Sequence, residues 1–167
     1  MDNQFTKAGL PAEKIFCTQG DYDHIQCRRG CHNKIYPAEE IFRQMDQARK
    51  DCKIPSYMVP KCPICGGDMD MNLRKDQYFV QDEAWYEAEE RCSDFLTDAM
   101  GENLVLLEVG VGFNTPTIIR FPFEKLAREH KNIQRIRWNL DDAAMPEDLD
   151  VRGIGIEGDL ACVIPQL

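Results

Sequence analysis

Between residues 83 and 100 the apolar positions Trp85, Ala88, Cys92, Phe95, Leu96 and Ala99 recur at three or four residues, and Gly101 follows. That period predicts an amphipathic helix with a glycine stop. The run NLVLLEV at 103–109 is nearly continuous in its apolarity and predicts a strand buried on both faces of a parallel sheet. GVGFNTP follows at 110–116. A helix with a break at Pro122 is expected over 117–130, strands over 133–139 and 153–157, and a last helical turn over 159–164 that ends at Pro165. Upstream, 15–18 reads as a short strand, 20–36 as a polar, turn-rich stretch, and 76–82 as a loop. Pro37 is expected to open a helix that ends before Pro55. A missing N–H costs nothing there, Glu39 and Glu40 suit the positive helix end, and Ile41, Met45 and Ala48 share a face.

Strand, helix, strand in the second half predicts an α/β protein with a parallel sheet. A cysteine-rich insertion over roughly 21–73 interrupts it, and the segments on either side form one domain in this reading. The 167 residues allow one ordinary domain, or a domain with a small module. Lys+Arg number 20 against 29 Asp+Glu, for a net charge of −9 and a pI near 4.8. No basic footprint exists for nucleic acid or an anionic membrane surface. The opening MDNQFTKAG has no apolar core of a signal peptide, and no run is long enough to span a bilayer.

The placement of the eight cysteines matters more than their number. Cys27-x3-Cys31 and Cys62-x2-Cys65 form two close pairs separated by 30 residues, while Cys17, Cys52, Cys92 and Cys162 are scattered. Without an export signal the expectation is a reducing cytoplasm, four metal ligands and four free thiols. Four thiolates suit a closed, structural Zn²⁺ site. Buried unligated thiols and an iron–sulfur cluster are the alternatives, and His24 and His32 flank the first pair as substitute ligands or as neighbours of the site.

Only three histidines exist, His24, His32 and His130. A histidine general base away from the cysteine module is therefore excluded unless His130 serves, and His130 reads as a surface residue favoured by a helix C-terminus. The 110–116 turn leaves a strand and enters a helix, where backbone N–H groups can face a phosphate or ribose. Thr115 stands where the third glycine of GxGxxG would be, so an ordinary strand-to-helix turn is the competing reading. WNLD at 138–141 places polar side chains at the end of the next strand.

Taken in order, these pieces resemble the sirtuin family. DNQFTKAG resembles the segment after the family's Asn-x-Asp motif, with Asp2 matching the Asp that lines the nicotinamide pocket. KIFCTQGDY matches the segment that ordinarily ends in His-Gly, so Gln19 occupies the position of the catalytic histidine. CPICGG matches the second zinc pair, and DQYFVQD the loop that borders the acyl-lysine channel. LLEVGVGFNTP aligns with the Gly-Thr-Ser turn: Gly110 matches, Val111 and Gly112 depart, and the turn, with Asn114, is implied as cofactor-binding. Asn139 matches the asparagine that contacts the adenosine ribose, and Cys162 lies in the adenine-side segment.

Gln for His, with VGVGFNTP and TQGDY, resembles the macrodomain-associated microbial sirtuins. The resemblance implies an incomplete Rossmann-like parallel sheet with an inserted four-cysteine zinc ribbon. Residues 1–20 and 80–167 would be the NAD-binding remnant, and 21–79 the zinc module plus substrate loop. It implies an NAD-dependent protein ADP-ribosyltransferase that uses structural Zn²⁺, acts on a glycine-cleavage-H-like lipoyl carrier and is partnered by a macrodomain protein. Gln19 cannot accept a proton at neutral pH, so it would position the acceptor through hydrogen bonds rather than act as a base. The family's Gly-Ala-Gly phosphate loop precedes the motif in which this sequence starts, which implies an inactive fragment. An NAD-dependent lysine deacylase and a non-enzymatic zinc-ribbon interaction module are the alternative functions.

Overall fold

A computed structural model describes residues 3–163. Asp2, Ile164 and Pro165 lie outside the described residues. The chain forms two compact units that divide between Ser93 and Asp94.

The first unit opens with the short helix α1 (Gln4–Lys7) and a 3₁₀ turn, Ala12–Lys14. Its centre is an antiparallel sheet of β1 (Gly20–Cys27), β2 (Ile35–Pro37) and β3 (Met69–Leu73), in the order β2-β1-β3. The stretch expected to be polar and turn-rich thus contains an eight-residue strand. GDYDHIQC is held by polar partners instead of apolar alternation. Gln26 Oε1 accepts from Asn72 Nδ2 at 2.7 Å and from the Val80 N–H at 2.8 Å, while its Nε2 donates to the Tyr78 carbonyl at 2.7 Å. These bonds dock the 76–82 loop onto the sheet. The strand expected at 15–18 is not formed. Ile15 is extended, but the chain turns at Thr18 and Gln19, closed by the Gly20 N–H donating to the Cys17 carbonyl at 3.0 Å.

Helix α2 (Glu39–Gln47) begins two residues after Pro37. Pro37 instead closes β2, opposite His24. Helix α3 (Glu83–Ala99) follows its apolar period and contains the division between the units.

The second unit is a parallel sheet of β4 (Leu104–Val109), β5 (Ile133–Asn139) and β6 (Gly153–Glu157), in sequential order. Helix α4 (Arg120–Glu129) links β4 to β5, a 3₁₀ segment (Glu147–Arg152) precedes β6, and the helical turn α5 (Leu160–Val163) follows it. Pro122 does not break α4. It sits in the first turn, where its missing N–H has no intrahelical acceptor to satisfy. Leu106, Ala127, Ile133 and Leu149 form the core, with Leu104, Phe123 and Leu126 packed against it. Burial on both faces is not observed. Leu106 and Glu108 are buried, whereas Val105, Leu107 and Val109 on the opposite face are about half exposed.

The molecule is therefore a mixed α/β structure with a small parallel sheet and a separate cysteine-bearing antiparallel sheet. No helix among the described residues is long and apolar enough to cross a membrane.

Candidate functional site

In the first unit two turns bring the cysteine pairs together. The first follows β1, where Gly30 takes φ +57° and donates to the Cys27 carbonyl at 2.8 Å, delivering Cys31. The second is the 61–68 turn, closed by Cys62 N–H to the Gly67 carbonyl at 2.7 Å and Gly66 N–H to the Cys62 carbonyl at 2.8 Å, with Gly66 at φ +69°. Side chains with a Cβ rarely adopt that conformation, which explains a glycine in each turn. The Arg28 N–H donates to the Asp68 carbonyl at 3.0 Å and joins one turn to the other.

The four Sγ atoms lie within 4.8 Å of one another. Cys27 and Cys65 are 3.7 Å apart, Cys31 and Cys62 3.6 Å. A tetrahedron with Zn–S bonds near 2.3 Å has edges of about 3.8 Å, so the cluster fits one zinc ion and leaves no open ligand position. Electrostatics support it. Backbone N–H groups of Cys31 and Arg29 pull the Cys27 thiol down to about 6, and those of Cys65 and Ile64 lower Cys62. Burial and the neighbouring thiols push Cys31 up. Neither flanking histidine joins the four thiols. His32 Nδ1 accepts the Lys34 N–H at 3.1 Å, which leaves Nε2 as the protonated nitrogen of a neutral ring, 3.4 Å from Cys62 Sγ. His24 Nδ1 pairs with Asp21 at 2.8 Å.

Gln19 is half-buried in the same unit, and its carbonyl accepts the Arg74 N–H at 3.0 Å. A cavity of about 420 Å³ adjoins its segment, lined in part by Phe16, Cys17, Gly20, Asp21, His24 and Trp85.

In the second unit, Gly110, Val111, Gly112 and Asn114 follow β4, Asn139 ends β5 and Cys162 follows β6, at the C-terminal edge where open α/β sheets bind ligands. Gly110 has φ +63°, and a Cβ placed on it or on Gly112 would meet nothing within 4 Å. The N–H groups of Val111, Gly112, Phe113 and Asn114 have no hydrogen-bond partner among the described residues. Asn139 is buried and donates from Nδ2 to the Val111 carbonyl at 3.1 Å. Asn114 and Cys162 are exposed.

No protein-family model matches the chain. Curated proteins similar to it include one from Staphylococcus aureus named protein ADP-ribosyltransferase, 30% identical over 164 residues that cover 98% of this chain and 52% of the relative. A second, from Fusarium oxysporum f. sp. cubense, is named as a bifunctional ADP-ribose hydrolase/ADP-ribosyltransferase. It is 30% identical over 177 residues, covering 99% of this chain and 29% of the relative. The chain is related to ADP-ribosyltransferases. It spans about half the length of one relative and less than a third of the other.

Sequence reading passed over the charged side chains beneath the glycine turn of this ADP-ribosyltransferase relative. Glu108, fully buried, pairs with Arg135 and with Arg137 Nε at 3.0 Å, and lies 3.8 Å from Arg120 Nε. Arg137 also donates to Glu124 at 2.9 Å and to the Ala144 carbonyl at 2.5 Å. Burial alone would pull Arg137 down, but its bonds to Glu108 and Glu124 outweigh that and push it up. The available signal was the alternation of arginines in IQRIRWN, which places both charges on one face of a strand.

Proposed function

We propose that this chain is part of an NAD-dependent protein ADP-ribosyltransferase of the sirtuin type, with a structural zinc in the first unit. The relation to two proteins named as ADP-ribosyltransferases over almost the whole chain carries this reading. The turn after β4 fits the cofactor's diphosphate chemically, since four successive N–H groups without partners among the described residues are donors available to an anion. Bound NAD supplies the ADP-ribosyl group and nicotinamide as leaving group.

The chain's own residues divide the remaining work. The 110–114 backbone and Asn139 would hold the nucleotide, with Cys162 toward the adenine. Asp2 would line the nicotinamide pocket, and the four thiolates of Cys27, Cys31, Cys62 and Cys65 would hold zinc. Gln19 has an amide that donates and accepts hydrogen bonds but takes no proton at neutral pH, so it would orient an acceptor instead of activating a hydroxyl. That chemistry favours transfer over deacylation. The acceptor we propose is a protein, with a lipoyl carrier as first choice. The hydrolase activity in the Fusarium relative's name suits a partner that removes ADP-ribose, as a macrodomain protein would.

The longer protein of which this chain is proposed to be part, incubated with NAD labelled in its adenylate half and a lipoylated carrier, should label the carrier and release nicotinamide. No release, together with no binding of ADP-ribose by calorimetry, would overturn the reading.

A further inference from the structure

We infer that Arg120 is the positioning residue of the glycine turn, and that the buried charge cluster beneath the sheet exists in part to aim it. The inference rests on the reading of that turn as the nucleotide site.

Arg120 is 1% exposed at the start of α4, yet its guanidinium reaches back across the turn. Nη2 donates to the Val111 carbonyl at 2.6 Å, and Nη1 to Asp142 Oδ2 at 2.6 Å. Its Nε faces Glu108 at 3.8 Å, and the Phe113 ring lies over its Cζ at 4.4 Å. The Val111 carbonyl also accepts from Asn139 Nδ2. One carbonyl oxygen thus takes two side-chain donors, one from α4 and one from the end of β5.

A backbone turn with unpartnered N–H groups has little to hold its shape. Gly110 and Gly112 add freedom, because glycine restricts the chain least. Two donors on the Val111 carbonyl fix the peptide plane between Val111 and Gly112, and with it the direction of the Gly112 N–H. Asp142 accepts from Nη1 on one side and Glu108 lies beside Nε on the other, so the guanidinium cannot swing away without giving up both carboxylates while it stays buried. Lysine cannot replace it, because a point ammonium lacks the planar fork that bridges a carboxylate and a carbonyl.

The test uses Arg120→Lys, which keeps the charge between Glu108 and Asp142, in the full 167-residue chain. Backbone amide exchange and 15N relaxation are followed by NMR, and ADP-ribose binding by calorimetry. The variant should unfold cooperatively, with core amides of β5 protected as in the wild type. The backbone order parameters of Gly112 and Phe113 should fall from about 0.85 to below about 0.6, and ADP-ribose affinity should fall about tenfold. Unchanged turn amides would overturn the inference, as would a uniform loss of protection across the sheet. If the wild type binds no ADP-ribose, the nucleotide reading fails, while the turn amides still decide whether Arg120 positions the loop.

Discussion

Gly20 shows how one residue can carry two constraints. It sits at φ +73°, and a Cβ there would lie 1.9 Å from the Asn72 carbonyl oxygen, a backbone atom that cannot move aside alone. Gly20→Ala is therefore expected to cost more than about 2 kcal/mol, read from urea unfolding, and to disturb Gln19 next to it. Nearby, the hydrogen bond to Asp21 raises His24, helped by Asp23 and Asp82; burial opposes the lowering of Asp21, but the bond from His24 prevails. The signs define a window. The contribution is full from about pH 4 to about 6.5, fades above that as His24 loses its proton, and fades below it as Asp21 gains one. With side chains 36% and 20% exposed, screening limits the pair to about 0.5–1 kcal/mol. His24→Gln should lower the thermal midpoint at pH 6 and leave it nearly unchanged at pH 9; an equal effect at both would refute the pairing. None of this was legible in the sequence, where His24 reads as a substitute ligand or a neighbour of the cysteine site.

Elements differ in what fixes them. Helix α3 is local, its apolar period set by neighbours three and four residues apart, and it forms where the pattern places it. β1 is non-local, because Gln26 and Asn72 meet across 46 residues. Hydropathy could not find a strand whose polar side chains are satisfied by distant partners. In the parallel sheet, Glu108 interrupts the apolar run of β4, yet it neutralises buried arginines. Glu108→Gln should destabilise the second unit by about 3–5 kcal/mol, because it leaves those charges uncompensated. A midpoint within about 1 kcal/mol of wild type would show that the cluster is not coupled in solution. The cysteine turns behave oppositely, since spacing alone announced them. One zinc per chain is expected by elemental analysis, and chelation should unfold the first unit, as should Cys62→Ser.

At the scale of the molecule, the second unit presents a parallel sheet with one covered and one open face. Leu106→Ala should cost about 2–5 kcal/mol, whereas Leu107→Lys, on the half-exposed face, should change stability by less than about 1 kcal/mol. Similar losses for both would mean that this face is covered in solution. The acidic balance, with pI near 4.8, offers no excess of positive charge to nucleic-acid phosphates.

What the amino-acid order determined alone are the features written in short-range spacing: paired cysteines with glycines at their turns, the period of α3, the apolar run of β4 and the glycines that end it. Tertiary structure decided which sheet face is covered, that β1 exists, that Arg120 and Asn139 share the Val111 carbonyl, and that His24 answers to Asp21. The reason is physical. Helical period and turn chemistry depend on residues a few positions apart, while a buried polar group is tolerable only once folding has delivered its partner from elsewhere in the chain.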